Sequence, residues 1–396
     1  MRRVLLLSSF FVFLQLFLSA QCLRNGNEFV QPDGSKCPNS PQSAVLFMRI
    51  APDARSGAMG DVGIALSPDA NAMHFNPSKL AFAEEDFAIS ATYTPWLRAL
   101  GLQDVYLAYL SGYKKLDDLQ AIGLSLRYFS LGSIAFTDSN GEPLGTGRPN
   151  EFELNGAYSR KLSDNFSAAI GAKFIYSNLA AGQRVNGTGE VIEAGLAGAA
   201  DFSFTYEDEL ENDNVLRAGV AVSNIGSKIT YTNSTTRDFL PANMGLGVAY
   251  EMNLDQYNKF TITGDVNKAL VPSPCVENCE DLDGDGVSDY RQQSPISALF
   301  NSFSDDELGA KGEFRELMYS VGLEYWYDNQ FAVRAGYYSE HETKGNRQFL
   351  TVGFGVKYNI FGLNFSYLVP TTNQRNPLDN TLRFSLLFNF GNAEEN

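Results

Sequence analysis

Apolar and polar residues alternate along most of this chain, in short segments separated by polar stretches. In the segment 165–177, apolar or small residues at even positions alternate with polar or small residues at odd positions, and Ile175 is the one exception. A period of two is typical of β-strands that have one apolar and one polar face. Because a tilted strand needs roughly 9–11 residues to cross a bilayer, segments of this length predict an outer-membrane β-barrel.

The alternating segments number fourteen, an even number, as bacterial single-chain barrels require. Connections after even-numbered segments are short, whereas those after odd-numbered segments include the long stretches 132–149, 178–193, 225–242 and 269–316. Short periplasmic turns and long outer loops are the expected asymmetry of such a barrel. The sequence therefore predicts an all-β fold, a fourteen-stranded antiparallel barrel over 84–391. Its predicted strands are 86–95, 102–113, 119–131, 150–160, 165–177, 194–207, 214–224, 243–252, 258–268, 317–328, 330–340, 347–358, 360–369 and 381–390.

The segment 43–83 precedes the first strand and is predicted to plug the barrel. Fourteen strands enclose more volume than their own side chains can fill. Gly57, Gly60 and Gly63 suit a tightly turning segment, and Asp69 or Asn71 could cap a short helical turn. The alternative is an extension that lies in the periplasm. Alternation also predicts that several charged residues face the lumen: Glu151, Glu153, Lys173, Glu251, Glu324, Lys357 and Arg383.

Residues 1–20 are typical of a secretory signal peptide, and a retained N-terminal anchor helix is the alternative. Arg2 and Arg3 precede an apolar run from Val4 to Leu18, and a small-residue cleavage site ends at Ala20. Residues 21–42 then form an N-terminal tail and 392–396 a C-terminal tail. Removing Arg2 and Arg3 from the 30 basic residues leaves 28 against 46 acidic ones, a net charge of −18. A surface this acidic excludes nucleic acid as a partner.

Catalysis finds little support in the residues. His74 and His341 lie far apart and match no metalloprotease spacing, and no nucleophile-elbow motif occurs. His74 is interpreted as a hydrogen-bonded packing residue rather than a general base. The chain is therefore predicted not to be an enzyme.

The long loop 269–316 carries the best candidate for a metal site. Three aspartates, at 281, 283 and 285, are spaced two apart, with glycine at the sixth position, aspartate at the ninth and Gln292 where an EF-hand has glutamate. This spacing wraps a chain round Ca²⁺ and looks like the calcium loops of thrombospondin type 3 repeats, although a solvated acidic loop is the alternative. The predicted ligands are Asp281, Asp283, Asp285, Val287 (through its carbonyl) and Asp289.

Four cysteines, Cys22, Cys37, Cys275 and Cys279, are expected to meet an oxidising compartment. Three pairings are possible, and the sequence does not choose among them.

The residues 51–82 closely resemble the opening of the PorV family of the type IX secretion system, whose barrels are similar to the long-chain fatty-acid channel. The motif that carries the resemblance comprises Pro52, Asp53, Arg55, Gly57, Gly60, Asp61, Asp69, Asn71, Asn76 and Pro77. Ser78 follows the proline where the fatty-acid channel has alanine. The resemblance implies a fourteen-stranded barrel and a shuttle that carries cargo by its C-terminal signal domain. The implied partners are the secretion pore protein, the cargo signal domains, and the attachment complex with its signal-removing protease.

Two outer loops offer candidate contacts with partners: Trp96 and Leu97 in 96–101, and Tyr231 and Phe239 in 225–242. Exposed apolar residues beside lipid could equally anchor the barrel at the membrane interface. The alternative function is an outer-membrane transporter of hydrophobic small molecules such as fatty acids. That function needs an apolar pocket in the lumen, which the predicted inward charges disfavour.

Overall fold

The computed structural model describes residues 22–26, 28–31, 34–98, 101–137, 140–184, 189–232, 237–276, 279, 281–282, 284, 287–372 and 380–391. The predicted signal peptide 1–20 and C-terminal tail 392–396 lie outside the described residues. Within the described part, no helix has the length and apolar character to cross a membrane.

Fourteen antiparallel strands form one closed barrel, as predicted. Every strand pairs with its neighbour in sequence, and the last closes on the first, with Phe388 opposite Ile89. Long connections follow odd-numbered strands, so these connections mark the outer end. The strands are β1 Phe87–Pro95, β2 Val105–Lys115, β3 Gln120–Leu131, β4 Asn150–Lys161, β5 Phe166–Asn178, β6 Gly195–Glu209, β7 Val215–Gly226, β8 Asn243–Asn253, β9 Asn258–Ala269, β10 Met318–Tyr327, β11 Phe331–Ser339, β12 Gln348–Tyr358, β13 Phe361–Pro370 and β14 Leu382–Phe390.

The barrel wall carries its apolar residues on the outside and its polar residues inside. In β5, Lys173 and Ser177 are buried, whereas Phe174 points outward with 46% of its surface exposed. This polarity is the reverse of a soluble fold and matches a wall surrounded by lipid. Ile175, the exception to the alternation, is fully buried among apolar side chains of the lumen.

Shorter elements lie in the connections and in the segment before β1. The helices are α1 Ala54–Gly57, α2 Ala72–Phe75, α3 Asp289–Gln292, α4 Pro295–Asn301 and α5 Ala310–Arg315, and 3₁₀ turns span Leu46–Arg49, Pro77–Phe82 and Glu211–Asp213. Two hairpins stand outside the barrel wall, one from Leu23–Asn25 and Glu28–Val30, the other from Ile134–Thr137 and Pro143–Gly147. The cysteines pair as Cys22–Cys37 and Cys275–Cys279.

The described residues of the segment 22–42 lie at the outer mouth of the barrel. Glu28 accepts a hydrogen bond from Arg315 at 2.8 Å, and the Asn39 amide donates to the Thr343 carbonyl at 2.7 Å. Arg315 and Thr343 both belong to outer loops. The chain next runs through the lumen and reaches the periplasmic end, where the Lys161 ammonium lies 4.9 Å from the centre of the Phe82 ring. The alternative of an extension in the periplasm is therefore wrong.

Candidate functional site

The segment 43–83, hereafter the lumen segment, is enclosed by the inner face of the barrel wall. Its polar and backbone groups contact inward-facing side chains from many strands, among them Ser111, Arg127, Ser159, Ser167, Thr205, Asp265, Glu324, Thr351 and Ser385. These residues come from β2, β3, β4, β5, β6, β9, β10, β12 and β14, so the lumen segment is held from nearly every side.

An arginine of the wall holds the outer part of the lumen segment. Arg127 on β3 is fully buried and donates to the carbonyl oxygens of Phe47 and Met48 at 3.1 and 2.9 Å. Its Nη2 also lies 2.5 Å from Nδ1 of His74. His74 is thus a half-buried, hydrogen-bonded packing residue, in agreement with the interpretation from the sequence.

A buried charge cluster anchors α1 at the middle of the barrel. Glu324 on β10 accepts hydrogen bonds from Arg55 at 2.8 and 3.1 Å and from Arg334 on β11 at 2.6 Å. Arg55 also reaches Asp69 at 3.3 Å. Asp53 caps α1 by accepting from the Ser56 amide at 2.8 Å. Arg55 of the motif thus forms an ion-paired contact between the lumen segment and β10, and Arg334 on β11 shares the same carboxylate.

Glycines let the backbone of the lumen segment touch the wall directly. Gly322 and Gly336 face each other across β10 and β11 and leave a notch that Met59 fills. A Cβ atom at Gly336 would lie 2.0 Å from the Met59 carbonyl carbon. Gly60 has φ +71° and contacts the backbone of Tyr337, so both its conformation and its neighbour require glycine. Asp61 beside it lies 3.5 Å from the guanidinium of Arg383.

The Asn76-Pro77 motif ties the last turn of the lumen segment to β6. The Asn76 amide group donates to the Ile64 carbonyl and to the Thr205 hydroxyl, both at 2.9 Å. Its side-chain oxygen accepts from the Ser78 amide at 3.1 Å, and Pro77 begins the 3₁₀ turn. The Ser78 hydroxyl also reaches the Thr205 hydroxyl at 2.7 Å, so the departure from alanine adds a polar contact.

The expected capping of α2 differs in detail. Asp69 accepts from the Asn71 amide at 2.8 Å and so forms a turn ahead of α2. Asn71 precedes α2 without capping it through its side chain, which instead accepts from the Ser111 hydroxyl at 3.2 Å.

The candidate contact residues of the outer loops turn inward. Trp96 is only 8% exposed and packs edge-on against Phe129, with Leu97 partly buried beside the same cluster. Phe239 is 8% exposed beneath the Lys228 ammonium, and the Tyr231 hydroxyl lies 2.9 Å from that of Ser177. The expectation that Trp96 is exposed is therefore wrong, because large side chains pack together to fill the mouth of the barrel. Phe239 is buried as well, and its contact with a partner stays a prediction.

A cavity of about 110 Å³ lies between the lumen segment and the wall. Its lining combines apolar side chains with about as many polar and charged ones, the latter including Arg49, Asp61, His74, Asn224, Asp265, Asn267 and Arg347. A cavity of this lining and size offers no extended apolar path through the barrel.

The predicted calcium loop is described only in part, because Asp283 and Asp285 lie outside the described residues. Asp281 accepts from the Gly284 amide at 2.9 Å, and Asp289 accepts from the Leu282 amide at 3.3 Å. Both carboxylates therefore point towards the backbone of the loop. The Val287 carbonyl accepts from the Gln292 side chain at 3.2 Å. Calcium binding stays a prediction.

We expect calorimetric titration of the purified protein to show uptake of Ca²⁺, and the triple variant Asp281→Ala, Asp283→Ala, Asp285→Ala to show none. The reason is that the variant removes three carboxylate ligands from one ion. Heat-modified migration on a detergent gel is the control and should be the same for both proteins, since the loop lies outside the bilayer. If the titration of the wild-type protein shows no binding heat, the prediction of a calcium site is wrong.

A second acidic group lies in the same outer loop. Asp305, Glu313 and Glu316 bring carboxylate oxygens within 4.8 Å of one another. Burial raises the pKa of the Asp305 carboxyl to about 6, and the carboxylates of Glu316 and Glu313 add to that rise. Lys268 pairs with Glu313 and Glu316, and Lys344 pairs with Glu316. The lysines already supply counter-charge, so the group fastens the loop to the barrel.

The apolar outer wall, the closed barrel and the occupied lumen together define the class of this protein. It is an outer-membrane β-barrel protein that crosses the bilayer with its strands. The family model of the type IX secretion system protein PorV matches residues 37–276. This match spans more than half of the chain, and the chain belongs to the PorV family.

The chain is also similar to solved barrel structures at low identity. It matches the CymD monoaromatic hydrocarbon channel at 12% identity and a TM-score of 0.49, over 88% of this chain and 99% of that one. The Pseudomonas putida toluene transporter TodX matches at 13% identity and a TM-score of 0.48, over 86% of this chain and 98% of that one. The Ralstonia pickettii toluene transporter TbuX matches at 11% identity and a TM-score of 0.47, over 85% of this chain and 98% of that one. No curated protein matches the sequence.

Proposed function

We propose that this protein is the carrier component of a type IX secretion system. It binds the C-terminal signal domain of secreted cargo, receives that cargo at the secretion pore protein, and delivers it to the attachment complex, whose protease removes the signal. Membership of the PorV family is the single observation that carries this proposal. The protein acts by binding and not as an enzyme.

The occupied lumen favours a binding function over the alternative, a transporter of hydrophobic small molecules. The Arg55–Glu324–Arg334 cluster joins the lumen segment to the wall inside the lumen, and Lys173 pairs with Asp201 at 2.8 Å on the inner wall. An apolar solute would have to pass these buried charges, which is costly. The surfaces left for a large partner are therefore those at the outer mouth.

Among the outer loops, the hairpin in 132–149 is the best candidate for cargo contact. Its strands pair with each other and stand outside the barrel sheet, and Ile134 is 41% exposed. Loop 225–242 instead folds into the mouth, where Ile229 and Leu240 are buried. The hairpin can meet a partner without disturbing the packing of the mouth.

In a strain that lacks this protein, we expect secreted cargo to keep its C-terminal domain and to accumulate in the periplasm or unattached. The reason is that a carrier is needed to bring cargo to the protease. The measurement is mass spectrometry of the released, cell-surface and periplasmic proteins. Normal cargo maturation together with impaired uptake of hydrophobic compounds would favour the transporter instead.

Complementation of that strain tests the hairpin. A variant in which a short glycine-serine linker replaces residues 134–147 should restore the barrel but not cargo maturation. The hydrogen-bond ladder of the wall does not include the hairpin, so heat-modified migration should match the wild type. If this variant fully restores cargo maturation, the hairpin is not part of the surface that binds cargo.

A further inference from the structure

An apolar groove of about 360 Å³ lies on the outside of the barrel, between the wall and the long outer loop. Its volume is in the range of small-ligand sites, about 300–1,000 Å³. Met244, Leu246 and Val266 of β8 and β9 form its floor. The loop supplies the opposite side with Phe303, Ala310, Phe314 and Leu317.

The floor of the groove belongs to the lipid-facing surface of the barrel. Leu246 pairs with Val266, and Val266 pairs with Tyr319 on β10. The neighbouring residues Gly247 and Asp265 contact Ile64 inside the lumen, so Leu246 and Val266 point outward. Tyr319 is 46% exposed on the same face, near the outer end of its strand. Tyrosine at the end of a membrane-spanning strand is typical of the interface between the membrane and water. The groove therefore opens at the level of the outer leaflet.

Ion pairs hold the loop over this face and make one rim of the groove polar. Lys268 is at the outer end of β9, where its Nζ donates to Glu313 at 2.8 Å and to Glu316 at 2.5 Å. Lys344 donates to Asp306 at 2.6 Å and to Glu316 at 2.9 Å. The groove is thus apolar towards the bilayer and charged at its outer edge. This is the polarity of a lipid, with its acyl chain below its headgroup.

The loop also exposes large apolar side chains beside the groove. Phe300 and Phe314 are 69% and 70% exposed, and Ile296 and Phe303 are exposed as well. They lie on or next to α4 and α5. Four such residues in one short stretch would be unfavourable in water, but are stabilised when they contact the headgroup–acyl boundary.

We propose that this groove binds an acyl chain of an outer-leaflet lipid, so that residues 296–317 of the outer connection rest on the membrane. The continuity of the floor with the lipid-facing wall selects a lipid as the occupant. The ion pairs keep the loop in place, and the exposed phenylalanines enter the same leaflet. The site is separate from the lumen segment and from the proposed cargo surface.

The test is photo-crosslinking of the full-length protein in phosphatidylcholine vesicles that contain a phosphatidylcholine with a diazirine in one acyl chain. Mass spectrometry of the digested protein locates the label. We expect label on residues 303–317 as well as on the lipid-facing residues of the strands. Ala310→Trp should fill the groove and reduce the loop label to background, because Ala310 is an exposed lining residue.

Ala181→Trp is the matched control, since Ala181 is exposed in an outer loop away from the groove. It should leave the loop label unchanged, and both variants should keep wild-type label on β10 if the barrel is intact. If the wild-type protein carries label only on its strands, the proposal is wrong, and a protein partner becomes the better candidate for the occupant of the groove. Equal loop label in Ala310→Trp and the wild type would also overturn it.

Discussion

The variant Glu324→Gln is expected to lose about 3–5 kcal/mol of stability, the usual cost of breaking a buried ion pair by removing one partner. The substitution leaves Arg55 and Arg334 buried near each other without the carboxylate that both contact. Arg55 keeps Asp69 as an ion-pair partner at 3.3 Å and its hydrogen bonds to the Ser67 carbonyl and hydroxyl, but these do not reach the wall. The lumen segment should then detach from β10 and β11. The measurements are the temperature at which the folded form disappears from detergent gels, and the conductance of planar bilayers, which should rise.

Glu207→Gln serves as the matched control for that variant. Glu207 pairs with Arg217 within the wall, and neither residue contacts the lumen segment through a hydrogen bond that the structure describes. This variant should lose less stability, and its conductance should stay at the wild-type level. If Glu324→Gln also conducts like the wild type, the charge cluster does not hold the lumen segment in place.

Gly336→Ala is the second variant with a large expected effect. Its Cβ would lie 2.0 Å from the Met59 carbonyl carbon and 2.2 Å from the Gly60 amide nitrogen, both backbone atoms. Neither can move without shifting the turn that Gly60 makes. Overpacking of this kind typically costs about 1–3 kcal/mol, and occasionally more. We expect a lower temperature of the gel-shift transition and a raised conductance.

Gly171→Ala provides the comparison for this variant. Gly171 also faces the lumen, but a Cβ there would meet its nearest atoms at an ordinary 3.4 Å. The transition temperature of Gly171→Ala should therefore lie close to that of the wild type. Equal destabilisation by the two substitutions would show that the loss comes from the strand and not from contact with the lumen segment.

The wall of this protein could be predicted from the sequence because alternation is a local signal. A strand with one side in lipid and one side in a polar lumen shows its two faces residue by residue. The bounds differ mainly where a polar residue leaves the sheet. β2 begins at Val105 instead of residue 102, since Asp104 accepts a hydrogen bond from the Ser133 amide at 2.8 Å and belongs to the loop.

The site could be predicted only in part, since its contacts join residues far apart in the chain. The motif residues of the lumen segment were identified, but not their partners, such as Glu324 for Arg55 or Thr205 for Asn76. Loops do not alternate apolar and polar residues. The sequence therefore does not show whether an apolar side chain in a loop faces lipid, a partner or the lumen. For this reason Trp96 was expected to be exposed and is buried. The groove beneath α5 also needs three elements distant in sequence.

The route of the chain before β1 constrains how the protein assembles. The described residues of the segment 22–42 lie at the outer mouth, where Cys22 and Cys37 are paired, and β1 starts at the periplasmic end. If β14 paired with β1 first, that segment would have to travel the whole length of a lumen lined with charged side chains. Folding is simpler if the wall closes around a chain already lying along its axis. The seam between β14 and β1 is therefore expected to be the last ladder to form.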